Sequence, residues 1–316
     1  MPLFKLQDKI VQELKESSFD LEKDLQGIVE NNLENILGLK FVSGSLNNEL
    51  NIKVNEQDFY IDTLGFNEED KSFVIIEYKK EKSFSVIDQG YAYLSAILHN
   101  KAEFVLELNQ RLKKNYTKKD INWEMSRIIF ISPEFTNYQK NAINFKDLPM
   151  FLYEIKLYND NLISLNFIKP YRTTESINSL TKDKIVNDVS KEIKVYDLED
   201  LISQSWSNTK ELLEDFERQL VKEIPETKIR YTQKYIAYSS RHGRNFTDIV
   251  PLKQGLKIYF RFPYDLIKSN IKIEDCSKKG HWTTGISYIY LLENHQISEA
   301  IQLSKDSYKY LHKDIK

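Results

Sequence analysis

Apolar residues recur at helical spacing early in the chain. Leu21, Leu25, Ile28, Leu33, Ile36 and Leu37 fall along one side of a helix over residues 20–37, the three-and-four spacing of an amphipathic helix. Ser18 or Asp20 is placed to cap its start, and Gly38 to end it. The period then changes. Phe59–Phe66 and Phe73–Lys79 are rich in aromatic and β-branched residues and flank the polar turn Asn67-Glu-Glu-Asp70, which predicts two strands of a hairpin. Residues 87–98 return to a helical period. Phe104–Leu108, Arg127–Ser132, Phe151–Leu157 and Leu162–Ile168 read as further strands, with a helix over 136–146 and a lysine-rich loop or short helix over 109–124.

Pro170–Ser190 has only a weak apolar pattern and reads as a connector. Beyond it the pattern is helical over 195–222. It then becomes strand-like over 231–238, 248–250, 256–262 and 286–292, and a last helix spans about 298–311. A chain of 316 residues is long enough for two domains. The expected division is 1–170, a linker at 171–194, and 195–316. The expected architecture is an α/β N-terminal domain, a central mixed sheet flanked by helices, followed by a smaller α+β domain.

Composition narrows the picture. The 41% hydrophobic content supplies ample core, and the net charge of −2 gives no global field for a polyanion. A local basic groove would still serve nucleic acid. With one cysteine, Cys276, no intramolecular disulfide can form. No leader peptide and no apolar run long enough to span a bilayer is evident, so a cytoplasmic protein without membrane attachment is expected.

The candidate chemistry sits on the hairpin. Side chains alternate along a strand, so Glu77 and Lys79 share a face, and a hairpin brings Asp62 beside them. Acid-x-Lys triplets also occur at Glu13, Glu69, Glu154, Glu192 and Glu226. Only Glu77 combines a strand-like setting with an aspartate on the preceding strand and a helix directly after. Two carboxylates and an ammonium at one sheet edge suit Mg²⁺ or Mn²⁺, which take hard oxygen ligands. Asp62, Glu77 and the carbonyl of Tyr78 would supply them, and Lys79 would stabilise charge developing on a phosphate. The alternative is a solvated ion pair at a strand end.

The stretches Ile61-Asp-Thr-Leu-Gly-Phe66, Phe73-Val-Ile-Ile-Glu-Tyr-Lys-Lys80 and Asp88-Gln-Gly-Tyr-Ala-Tyr-Leu94 resemble the PD-(D/E)XK, or restriction-endonuclease-like, nuclease superfamily. The branch most resembled is related to single-strand-acting repair endonucleases. The resemblance covers residues 18–168 and is carried by the whole run from Asp62 to Leu94. It implies a metal-dependent endonuclease, acting on DNA more than RNA in repair or defence, and it admits a homodimer. Asp62 matches the first metal-binding acid, Glu77 the second, Lys79 the lysine, and Gln89 a supporting glutamine on the next helix. Ile61 stands where the name pattern has proline. A first-helix glutamate often completes the metal shell. Glu22 shares a stripe with Leu25, Val29 and Leu33, and Glu30 and Glu34 compete with it. Tyr91 and Tyr93 read as packing residues. Lys80, Lys82, Lys113, Lys114, Lys118 and Lys119 are candidate phosphate contacts or loop surface.

The segments Tyr235-Ile-Ala-Tyr238, Arg244-Asn-Phe-Thr-Asp-Ile-Val250, Gly255-Leu-Lys-Ile-Tyr259 and Gly280-His-Trp-Thr-Thr-Gly285 of residues 195–316 resemble an uncharacterised domain similar to the MmcQ/YjbR-like fold, which implies a nucleic-acid- or ligand-binding module without a set activity. Arg241, Arg244, Lys253, Lys257, Arg261, Lys278 and Lys279 are interleaved with aromatics, a mixture that suits phosphate contact and base stacking as well as an ordinary core with a charged surface. His242, Cys276 and His281 make a poor zinc set. The competing functional reading is a catalytically silent binding or regulatory protein that keeps the nuclease fold.

Overall fold

The computed structural model describes residues 3–19, 22–47, 49–54, 57–79, 86–171, 175–267, 269–280 and 283–313. The chain divides into two compact units, residues 1–33 with 40–194, and residues 34–39 with 195–316.

In the first part of the chain β1 (Leu3–Gln7), β2 (Ile10–Leu14) and β3 (Glu16–Ser17) precede α1 (Glu22–Asn31) and α2 (Leu33–Leu37). Then come β4 (Lys40–Gly44), β5 (Leu50–Val54), β6 (Gln57–Ile61), β7 (Thr63–Asn67), β8 (Ser72–Tyr78), α3 (Val86–His99) and α4 (Lys101–Leu112). β9 (Arg127–Ser132), α5 (Asn137–Ala142), β10 (Met150–Tyr158), β11 (Leu162–Ile168), α6 (Ile177–Leu180) and α7 (Lys184–Glu192) complete it. The central sheet has the order β11-β10-β9-β8-β7-β4, with β3 added to β10. β8, β9 and β10 run parallel, and the flanking pairs are antiparallel. The sheet is mixed and flanked by helices. β8 and β9 are buried at every position, as parallel strands covered on both faces must be. Phe73, Ile75, Ile128 and Phe130 join Leu94, Ile97, Phe104 and Leu108 of α3 and α4 in one core. α1 packs on β8, with Leu25 and Val29 buried.

The sequence pattern is overridden in several places. The expected helix over 20–37 is two helices, because Asn32 turns the chain and its amide donates to Val29 O. Phe104–Leu108 lies in α4 and is not a strand. Phe104, Val105 and Leu108 bury one helical face while Leu106 is exposed, a short apolar run whose period is ambiguous by itself. The segment read as a linker carries α6 and α7. Val186, Val189 and Ile193 enter the first core, so the division falls after Lys194. Tyr231–Tyr238 is a hairpin and not one strand, because Thr232 Oγ1 accepts from the Lys234 and Tyr235 amides and folds the chain back.

The second unit holds α8 (Leu198–Leu201), α9 (Ser207–Glu223), β12 (Lys228–Tyr231), β13 (Ile236–Ser239), β14 (Asn245–Leu252), β15 (Gly255–Phe260), β16 (Ile273–Asp275), β17 (Ser287–Leu291) and α10 (Ile297–Leu311). Its six-stranded sheet, β12-β13-β14-β15-β17-β16, is antiparallel throughout. Leu212, Phe216 and Leu220 of α9 and Ile301 of α10 share a core with Ile236, Ile249, Ile258 and Ile289 of the sheet. Among the described residues, no helix is long and apolar enough to cross a membrane.

Candidate metal centre

Asp62 occupies a bend between β6 and β7. Thr63 pairs with Ile76 in the antiparallel β7–β8 ladder, so one step further Asp62 stands opposite Glu77. Residues directly opposite on antiparallel strands share a face. The bend frees the Asp62 carboxylate to turn inward, where its Oδ2 accepts the amide of Tyr78 at 3.1 Å. Its carbonyl accepts from Gln26 Nε2 at 2.7 Å.

Glu77 lies at the end of the buried strand β8 and is only 5% exposed. Lys79, two residues on and on the same face, donates to Glu77 Oε1 at 2.9 Å, and Gln89 Nε2 on α3 donates to the same oxygen at 2.9 Å. Glu77 Oε2 is buried and has no hydrogen-bond partner among the described residues. Tyr93, four residues after Gln89 on α3, brings its hydroxyl beside Glu77 but donates to the Tyr60 carbonyl at 3.0 Å. The Glu77–Lys79 pair is therefore no solvated strand-end contact, since the Lys79 side chain is itself 17% exposed.

The electrostatics follow from this burial. Loss of solvent pushes the Asp62 carboxyl up to about 7, and the Glu77 charge adds to it, while the Tyr78 amide and Lys79 oppose the shift. Burial also raises Glu77, against the ammonium of Lys79 and the neighbouring Tyr93 and Gln89. Two neighbouring carboxyls withdrawn from solvent both resist ionisation, and Lys79 and Gln89 favour the charge on Glu77.

A divalent cation fits this donor set. An orphaned buried oxygen costs free energy unless something occupies it, and Oε2 of Glu77 faces the problem a cation resolves. Among the described residues no group of three or more His, Cys, Asp or Glu side chains is gathered to hold a metal. Mg²⁺ needs fewer, because it keeps several waters and takes one or two carboxylates.

The structure brings together Asp62, Glu77, Lys79 and Gln89. Glu22 is exposed at the start of α1, and its charge reaches Asp62 and raises it further. Glu30 is 3% exposed, and both its oxygens are engaged by Gln26, Ser45, Leu46 and Thr63. Glu34 falls in the second unit. The Tyr78 side chain lies on the opposite face from Glu77, 1% exposed, with its hydroxyl 3.2 Å from Thr63 Oγ1. Lys113, Lys114, Lys118 and Lys119 are exposed. Lys80, Lys82, His281 and Trp282 lie outside the described residues.

Sequence reasoning missed Gln26 and the second role of Tyr93. Both had a signal in spacing. Gln89 and Tyr93 are four apart on α3, and Glu22, Gln26 and Glu30 are four apart on α1, which puts each set on one helical face. In the second unit, Lys257 Nζ sits 3.8 Å from the Tyr288 ring centre and 5.0 Å from that of Tyr259, so its ammonium is engaged with aromatic faces. Cys276 is buried, and burial raises its thiol.

Comparison with known proteins adds one relative. No family model matches the chain, and no solved structure matches it. A protein of Haemophilus influenzae, described as uncharacterized, is 35% identical over 303 residues, covering 95% of this chain and 97% of that one.

Proposed function

We infer that this chain, which belongs to one family with the Haemophilus influenzae protein, is a divalent-metal-dependent endonuclease with a restriction-endonuclease-like core, acting on DNA in preference to RNA. The observation that carries this reading is the unpartnered, buried Oε2 of Glu77 beside an Asp62 whose carboxyl is pushed up to about 7. The choice of DNA rests on the resemblance of the run from Asp62 to Leu94.

In this reading Asp62 and Glu77 would hold Mg²⁺ or Mn²⁺, with the Tyr78 carbonyl as the further candidate ligand. Such an ion acidifies water and neutralises charge on a phosphodiester. The protein's own contribution is orientation. Gln89 and Lys79 fix the Glu77 rotamer through Oε1 and leave Oε2 for the cation. Lys79 keeps donors beyond the one given to Glu77, and these would be available to the charge that develops on the phosphate oxygens. The Tyr78 amide fixes Asp62. Glu22, whose charge already reaches Asp62, is an outer acceptor for water.

The test is cleavage by purified protein with Mg²⁺ or Mn²⁺ on single-stranded, duplex, flapped and mismatched DNA and on RNA. DNA should be cut, and Asp62→Ala and Glu77→Ala should each abolish cutting while the protein stays folded. A folded wild-type protein that cuts nothing in that panel overturns the reading.

A further inference from the structure

The far side of the sheet from Glu77 carries a closed ring of hydrogen bonds that returns to Asp62. Gln26 Nε2 on α1 donates both to the Asp62 carbonyl, at 2.7 Å, and to Glu30 Oε1, at 3.0 Å. Thr63 Oγ1 donates to the same Glu30 oxygen at 2.6 Å. Because that proton is committed to a carboxylate, the Tyr78 hydroxyl, 3.2 Å away, is the donor to Thr63. Tyr78 then closes the ring through its own amide, which holds the Asp62 carboxylate at 3.1 Å. The members are buried, with Thr63 at 0%, Tyr78 at 1%, Glu30 at 3% and Gln26 at 5% exposure.

Glu30 is the hub. Besides Gln26 and Thr63 it accepts from the Ser45 amide at 3.0 Å, the Ser45 hydroxyl at 2.7 Å and the Leu46 amide at 3.2 Å. The chain after β4 is thereby tied to the residues that frame Asp62. The space around it is closed as well. A Cβ at Gly44 would lie 2.1 Å from Glu30 Oε1 and 3.0 Å from the Asp62 carbonyl, so Gly44 is required for the glutamate to reach its donors.

We infer that Glu30, acting through Gln26 and Thr63, is the positioning residue of the metal centre, and that it sets the metal affinity of Asp62 and Glu77 without touching the cation. The inference rests on the reading of that pair as a metal site. Asp62 lies at a bend and outside the regular ladder, so its orientation needs a support that strand pairing does not give. Outer partners of metal ligands typically change affinity by roughly 10–100-fold when removed.

The experiment is Mn²⁺ titration of the full chain, followed by electron paramagnetic resonance. Gln26→Met keeps volume and deletes both donations from Gln26. Gly44→Ala displaces Glu30 from behind. Both should weaken Mn²⁺ binding by about tenfold or more and change the Mn²⁺ line shape, while Gln26→Met melts close to the wild-type temperature in the absence of metal. Gln26→Glu, which puts an acceptor against the Asp62 carbonyl, should weaken binding further than Gln26→Met. Should Gln26→Met bind Mn²⁺ as tightly as the wild type while Asp62→Asn does not bind, the positioning role falls and the metal reading stands. Should folded wild-type protein bind no Mn²⁺, both fall together.

Discussion

Each unit of the molecule turns an aspartate inward, Asp62 part-buried and Asp248 fully buried, and the two are treated in opposite ways. Asp248, on β14 of the antiparallel unit, is 1% exposed. Its Oδ1 accepts from Asn245 at 3.0 Å, and its Oδ2 accepts from the amide and hydroxyl of Thr284 at 2.9 and 2.8 Å. Burial still pushes its carboxyl up, and Arg261 and Arg230 pull it back. Asp62, in the mixed-sheet unit, has one amide on its carboxylate, and its nearest carboxyl neighbour carries an oxygen with no partner. A satisfied buried charge ties strands together. An unsatisfied one costs stability in the free protein and is worth keeping only where a ligand completes it.

The sharpest way to break that contrast is Glu77→Ala. It should lower metal-dependent cleavage by about 10³-fold or more, equivalent to roughly 4 kcal/mol, and should abolish Mn²⁺ binding, as measured by titration. The protein should melt close to the wild type in the absence of metal, because removal of an unpaired buried oxygen offsets the loss of the acceptor shared by Lys79 and Gln89. A clear loss of metal-free stability would make Glu77 a structural residue like Asp248.

Next in size is Asp248→Asn. Its amide nitrogen would replace one accepting oxygen and meet a donor in either orientation, Asn245 Nδ2 or the amide and hydroxyl of Thr284, leaving buried groups unpaired at a cost of roughly 2–4 kcal/mol. Calorimetry should show a transition at lower temperature, with Mn²⁺ affinity unchanged. An altered Mn²⁺ affinity would contradict the purely structural assignment of Asp248.

A smaller effect is expected from pH. Asp62 ionises normally at 3.8 in an unfolded chain and at about 7 in the folded one. Between these values the folded form holds the extra proton, so this group's contribution to stability is complete below about pH 4 and is lost as pH rises through 7. Without metal, the melting temperature of the wild type should fall relative to Asp62→Asn across that window, by roughly 5 °C. Saturating Mn²⁺ should remove the difference in slope for the wild type. Parallel curves for the two proteins would refute the raised Asp62. The smallest effect belongs to an exposed pair. Lys101 and Glu192 lie 2.6 Å apart at the surface, and Lys101→Ala should change stability by less than about 1 kcal/mol in a chemical denaturation series.

Much of this centre was legible in sequence. Period-two alternation puts Glu77 and Lys79 on one face, and the polar turn after Phe66 brings Asp62 opposite. A four-residue helical step places Gln89 and Tyr93 together. What the pattern did not disclose was the bend at Asp62, which splits Phe59–Phe66 into β6 and β7, since a side chain that leaves its ladder obeys no periodicity. The stripe of Glu22, Gln26 and Glu30 was read only through its apolar neighbours, which hid the ring behind Asp62. Phe104–Leu108 was misread because five apolar-rich residues suit either period, and only the flanking positions, Lys101 through Leu112, settle it as helix.

Helix α7 has a practical consequence for anyone expressing part of this protein. Its Val186 and Val189, with Ile193 just beyond, insert into the core beneath α3, and the guanidinium of Arg127 at the start of β9 donates to the Lys194 carbonyl at 2.6 Å. A fragment ending at residue 170 strips that cover from the apolar surface below and leaves Arg127 short of an acceptor. It should aggregate on purification, whereas a fragment carried through Lys194 retains its lid.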